Sequence, residues 1–311
     1  MFNKRTLLFK LNQLGKQEEG NAIILVGFAL LGLILMSGLV IDGGSMYMTK
    51  RHLQKTANAA VLSGAQELTN TEAAVKDVTT KVLEMHGETS SLEQLNVTMF
   101  SRVSLDLKKD VKLAFSQLFG YSSIPIVVHA AAEIGTMSNA VGASPLGIDD
   151  TVQLEFYKEY RLKVDQQEVN SGNFGVLALG GTGAQTYEDN LMYGYKEQLN
   201  VRDILDTQTG NISGKTRTVI QAKINACPYQ PGDTTQRDCP RVILIPVYKP
   251  HLITTNQLKQ VEIKGFAYFY ITKPMSSNDT SITGMFIKRS GRGYVDPTVV
   301  NKGAFSIRLT E

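Results

Sequence analysis

Residues 21–41 read NAIILVGFALLGLILMSGLVI, a run with no charged residue and only Asn21 and Ser37 as polar side chains. As a helix, such a run rises roughly 31 Å at about 1.5 Å per residue, which matches a hydrocarbon core of about 30 Å. A helix buried in a soluble core carries a polar stripe, and none can be drawn here at helical spacing. A cleaved secretory signal has a shorter apolar run followed by a small-x-small site, whereas this sequence proceeds directly to Asp42, Gly43 and Gly44. The stretch therefore predicts an uncleaved transmembrane anchor.

Orientation is read from the residues that flank the span. Lys4, Arg5, Lys10 and Lys16 precede it and Lys50, Arg51 and Lys55 come after it, nearly a balance. Residues 42–311 form a long tail, however, and long tails translocate largely regardless of charge. Cys227 and Cys239, the two cysteines of the chain, sit in CPYQPGDTTQRDC and predict a local disulfide, which needs an oxidising compartment. The expectation is a single-pass protein of the cell membrane, N-terminus cytoplasmic and the remainder extracytoplasmic.

Working outward, residues 1–20 form a basic cytoplasmic segment, in which Leu7, Leu8, Leu11 and Leu14 share a helical face suited to the headgroup region. Beyond the span no proline occurs until well past residue 68, and Leu53, Ala57, Ala60, Gly64 and Leu68 recur every three or four residues. The helix is expected to continue to about 68, with Gly43 and Gly44 as a possible hinge. That stripe of small side chains suits close backbone approach, either covering the chain's own sheet or against a helix of a partner subunit. A second amphipathic helix is predicted over 71–86, capped by Thr71 or Asn70. Strands at 95–100 and 102–107, a turn at AFSQLF and the apolar strand IPIVVHAAAEIG complete a small α+β unit over 69–140. Residues 141–150, in the Gly-, Ser- and Ala-rich SNAVGASPLGIDD, read as a linker. Residues 151–311 become β-rich, with at most one brief helix near Tyr187–Leu199, and predict a barrel or sandwich. The fold class is thus α+β, a long membrane helix followed by the small unit and the β-rich domain.

The segment EEGNAIILVGFALLGLILMSGLVIDGGSMYMTKRHLQKTANAAVLSGAQEL resembles the N-terminal module of TadE/TadG-like proteins of Tad (Flp) pilus assembly. The matching positions are Gly20, Asn21, Ile41, Asp42, Gly43, Tyr47, Arg51, Leu53 or Gln54, Ala57, Ala59, Ala60, Gly64 and Ala65. VSLDLKKDVKLAFSQLFGYSSIPIVVHAAAEIG is similar to the region downstream of that module in the family, so the resemblance covers about 140 residues. It implies a membrane-anchored assembly component whose partners are lipid and other pilus or assembly subunits, met through helix packing. Two features depart from the family. The Asp-x-Ser-x-Ser metal motif of von Willebrand A domains is missing, and cuts after Gly15 or Gly20 would place Gly20 or Leu25 where processed pilins carry glutamate.

Little in the sequence points to catalysis. His52, His86, His129 and His251 lie at no metal-ligand spacing, and neither HExxH nor CxxC occurs. GGTGA at 180–184 lacks the lysine of a phosphate loop and reads as a tight turn. The neighbours Asp149–Asp150 and Glu188–Asp189 point apart and read as solvated loop carboxylates. Asp42 either marks the water boundary or pairs with a basic residue of a partner during assembly. Net charge is +3, with cations dispersed among anions, which excludes the basic face of a nucleic-acid binder. The expectation is a non-enzymatic assembly component without cofactor or metal; the alternative is a tethered ectodomain that binds an extracellular ligand or surface.

Overall fold

The computed structural model describes residues 18–163, 174–208, 212–254 and 257–310; of the basic segment 1–20, residues 1–17 lie outside the described residues and 18–20 begin a helix. The chain divides into two compact units, one gathering residues up to Lys55 with Asp106–Val128, the other Thr56–Leu105 with His129–Glu311.

Helix α1, Glu18–Ala65, has 48 residues and so a length of about 72 Å. It runs without a break through Gly43 and Gly44, the expected hinge. Each glycine costs a helix only about 1 kcal/mol relative to alanine, and good helix formers on both sides propagate through the pair. After α1 come α2 (Glu72–Met85), β1 (Leu92–Thr98), β2 (Arg102–Lys112) and β3 (Ser123–Thr136). In the first unit the β2–β3 connection folds into a short 3-10 turn, Ser116–Phe119. Gly120 ends it at φ 90°, a conformation side chains disfavour, and the Leu113 N–H donates to the Ser122 carbonyl at 3.1 Å to close the hairpin.

In the second unit the end of α1 packs on α2. Thr71 caps α2, its Oγ1 accepting the Ala74 N–H at 3.2 Å, as the sequence predicts. A Cβ placed at Gly64 would collide with Thr79 Oγ1 and touch Val75 Cγ1 at 3.5 Å, so α2 occupies the small-residue groove of α1. Ala57, Ala60, Gly64 and Leu68 are buried within this unit, and Leu53 is buried within the first. At Gly64 the stripe, expected to cover the chain's own sheet or to receive a partner helix, is occupied instead by the chain's own α2. Small residues permit close approach from any helix, and the covalently connected α2 is the one that reaches them. Gly64→Ala is expected to destabilise the full-length protein by about 1–3 kcal/mol through overpacking, read as a lower thermal midpoint in detergent micelles.

The remaining elements are β4 (Asn139–Ala140), β5 (Leu146–Asp149), β6 (Glu159–Lys163), β7 (Phe174–Val176), α3 (Ala184–Tyr193), β8 (Leu199–Asn200) and β9 (Ile204–Asp206). They are followed by α4 (Ser213–Ala226), β10 (Val242–Thr254), β11 (Gln257–Ile271), β12 (Ser281–Ile287), β13 (Arg289–Gly291) and β14 (Ala304–Leu309). The fold is α+β, β-rich in its later part. One sheet has the order β1-β2-β3-β14-β13, and β14 pairs antiparallel with β3 from Phe305↔Thr136 to Leu309↔Ala132. The strands expected to form a separate small unit over 69–140 are thus completed by residues near 300.

The second sheet is built on the long β10–β11 hairpin, in the order β6-β12-β11-β10-β5-β7, with β9 on β11. β7 also meets the end of β9, where the Ala178 N–H donates to the Asp206 carbonyl and the Gln208 N–H to the Val176 carbonyl, each at 2.9 Å. The ladder β10-β11-β9-β7-β5 therefore returns on itself at one end, a partial barrel that leaves fewer bare edges. Leu244, Tyr248, Val261 and Phe266 fill one core, while Ile245, Val247, Phe269 and Phe286 fill the core on the opposite side of the hairpin.

Two expectations fail here. Residues 141–150 are not a linker: Leu146, Gly147 and Ile148 are buried, and β5 lies between β10 and β7. Lys302 pins the turn after β5, its Nζ donating to the carbonyls of Asp150 at 2.8 Å and Val152 at 2.7 Å. The region after 150 also holds a second helix, α4. Its buried stripe is Thr216, Val219, Ile220 and Lys223, half polar, so apolar periodicity does not reveal it. Burial is tolerated because Thr216 Oγ1 bonds the Ile212 carbonyl at 2.9 Å and Lys223 Nζ the Met192 carbonyl at 2.9 Å.

Candidate functional site

The membrane-facing chemistry concentrates in the first unit. From Ile23 to Val40 the large apolar side chains of α1 are exposed apart from the half-buried Leu35, with Ile23 at 76% and Ile34 at 51%. Among the described residues one helix is long and apolar enough to cross a membrane. A face this apolar is stable against lipid and unfavourable against water.

At the end of the span stands Asp42, only 4% exposed. Its carboxylate accepts the backbone N–H groups of Ala114 at 2.8 Å, Phe115 at 3.1 Å and Ser116 at 2.6 Å, and the Ser116 hydroxyl at 2.7 Å. These N–H groups open the 3-10 turn and have no partner within it, so the anion supplies in trans what a capping side chain supplies locally. Four residues earlier, a Cβ at Gly38 would lie 2.5 Å from Phe115 Cγ; the phenyl ring rests on the bare backbone of the span. Asp42 is thus buried rather than hydrated, its carboxylate occupied by donors of this chain. It fastens the β2–β3 tip to the helix. The sequence signal was the short AFSQLFG turn, whose free N–H groups require an acceptor.

In the second unit the disulfide loop holds the end of α1. Cys227 and Cys239 are bonded, with Cα atoms 5.0 Å apart, and pack with Tyr270 and Ile287. Within the loop Arg237 donates to Glu67 Oε1 at 2.8 Å, to the Ser290 carbonyl at 2.9 Å and to the Gln66 carbonyl. Ser290 Oγ donates to the Gln66 carbonyl as well, at 2.8 Å. The Gln66 carbonyl, just past the last turn of α1, is thereby satisfied. Arg289 ties the other side of the loop, donating to the Gln236 carbonyl at 3.0 Å; burial pushes its guanidinium pKa down. Replacing both cysteines by serine is expected to cost about 3 kcal/mol through loop entropy, measured as loss of thermal stability of the full-length protein.

The remaining sequence candidates are dispersed. His52 lies on α1, His86 caps the end of α2, His129 is in β3 and His251 in β10. Among the described residues no group of three His, Cys, Asp or Glu side chains is placed to hold a metal ion. The GGTGA turn adopts positive φ at Gly180, Gly181 and Gly183, and the Gly183 N–H donates to Gln208 Oε1 at 3.0 Å. Asp149 accepts from Thr151, Glu188 pairs with Lys215 at 2.5 Å, and Asp189 accepts from Gln185. The Tyr187 phenol, pushed up by burial, shares a 2.8 Å hydrogen bond with Thr216 that joins α3 to α4. A polar groove of about 470 Å³, lined by Ser138, Asn139, Arg202, Lys264, Tyr294 and Asp296, opens on this unit.

These features define a class: a protein suited to membrane anchoring, in which, among the described residues, one long helix carries an exposed apolar stretch and the fold is α+β. Residues 20–67 match the family model described as "Putative Flp pilus-assembly TadE/G-like", so this N-terminal region is similar to that family. The match coincides with α1 and the turn after it, and it supports a role related to pilus assembly in company with other pilus components. Neither curated proteins nor solved structures give a significant match to the chain.

Proposed function

We propose that the protein is a non-enzymatic structural or assembly component of a bacterial Tad (Flp) pilus or a related envelope apparatus. Its N-terminus lies in the cytoplasm and its folded portion stands outside the cell membrane. The observation that carries this reading is the coincidence of the TadE/G-like match with a helix whose first half is bare and apolar and whose second half is built into the fold. Such a helix transmits position from the bilayer to the folded portion, as an assembly platform requires. The bonded cysteine pair supports the oxidising side of the membrane. With residues 53–68 already covered, other subunits meet the exposed span or the surface of the folded units.

The test is deletion of the gene, with electron microscopy of surface fibres, combined with photo-crosslinking from Ile34 and Val40 in intact cells. Loss of fibres and capture of a pilus or secretion component are expected. Normal fibres together with no captured component would reject the assembly role. The polar groove at Arg202 favours a second reading, a tethered ectodomain that binds a polar extracellular ligand or surface. That reading predicts intact fibres on deletion and ligand binding that Arg202→Ala abolishes.

A further inference from the structure

We propose that the tip of the β2–β3 hairpin enters the interfacial layer of the same bilayer that α1 crosses, giving the chain a second lipid contact beside its span. The inference rests on the membrane reading of α1. Its basis is depth. Phe115 lies against Gly38, three residues inside the apolar run, and Asp42 holds the backbone on either side of Phe115. Gly38 and Asp42 are separated by about 6 Å of helix rise, so the tip is fastened at the level where the span leaves the hydrocarbon.

The tip's own side chains suit that level. Leu118, Phe119 and Tyr121 are 76%, 62% and 64% exposed, an apolar and aromatic cluster on a turn, where polar residues are the rule in water. Aromatic residues favour the headgroup region, tyrosine keeping its hydroxyl hydrated while the ring is buried. The polar cost of entry is lowered because Asp42 already satisfies the N–H groups of residues 114–116. Lys112 is exposed on β2 just before the turn, placed to extend its ammonium towards lipid phosphates. Lipid is the occupant favoured by continuity, because the bare surface of the tip adjoins the span, whose exposed side chains already demand a bilayer.

The chain holds two cysteines and both are in the disulfide, so an added cysteine is labelled selectively. Full-length Leu118→Cys and Phe119→Cys would each carry an NBD fluorophore in phosphatidylcholine–phosphatidylglycerol vesicles. Ile34→Cys serves as the span control and Asn278→Cys as the water-exposed control. At an interfacial depth of about 5–10 Å, both tip probes are expected to emit to the blue of the Asn278 probe. Lipid spin-labelled near the headgroup is expected to quench them about twofold. Tip probes that behave like the Asn278 probe, while the Ile34 probe is quenched by lipid, would overturn the tip contact and leave the span standing. Blue-shifted tip probes that lipid spin labels do not quench would also overturn it, placing protein there instead. An Ile34 probe unaffected by spin-labelled lipid would remove the anchor and this inference together.

Discussion

Asp42→Ala in the full-length protein, embedded in lipid nanodiscs, is expected to raise amide hydrogen exchange at Ala114, Phe115 and Ser116 on the order of 100-fold. One carboxylate accepts three backbone N–H groups and a hydroxyl, at 2.6–3.1 Å in their shortest contacts. Charge-assisted bonds of this kind are roughly twice as strong as neutral ones, and the short turn holds no second acceptor for the same donors. Alanine leaves them unsatisfied beside apolar surface, so the tip frays. Asp42→Asn retains one acceptor oxygen and is expected to fall between wild type and alanine. Exchange elsewhere, as in β10 and β11, stays unchanged. Unaltered protection at 114–116 in Asp42→Ala would show that the carboxylate does not hold the hairpin.

Arg237→Ala is expected to lower the stability of the second unit by about 4 kcal/mol, because removing one partner of a largely desolvated ion pair strands the other. Glu67 is the group that loses its cation, its side chain only 12% exposed, paired to Arg237 at 2.8 Å and otherwise bonded only by the Asn70 amide among the described residues. The Gln66 carbonyl loses a donor in the same substitution. For a unit of this size about 4 kcal/mol lowers the thermal midpoint by roughly 8–16 °C, which differential scanning calorimetry of the detergent-solubilised protein would register. Arg237→Ala combined with Glu67→Gln should recover part of the loss, since no buried charge is then unpaired. A midpoint within a degree of wild type would mean that the loop does not restrain α1.

The anchor was legible because the requirement of a bilayer is local and one-dimensional: enough consecutive apolar residues to span it. The Thr71 cap and the pairing of nearby cysteines were legible for the same reason, each resting on spacing within a short window. The helix α4 was not, because burial there includes Thr216 and Lys223, whose partners at Ile212 and Met192 are seen only once the chain has folded. Residues 141–150 misled through composition. Small residues and glycine mark a linker in isolation, yet Gly147 lets Tyr248 approach closely in the packed sheet.

The candidate site divides along the same line. Asp42 and the stripe Leu53, Ala57, Ala60, Gly64 and Leu68 could be singled out from the run of residues alone, as an acid at the end of a span and a face of small side chains. What each touches was decided by folding. The partners of Asp42 lie more than seventy positions away, at Ala114 to Ser116, and the groove at Gly64 is filled by Val75 and Thr79 of the next helix. Hydropathy and helical period are properties of neighbours along the chain, so a one-dimensional string carries them. Which donor meets a buried carboxylate, and which helix closes a groove, depend on long-range loop closure and packing, which exist only in three dimensions.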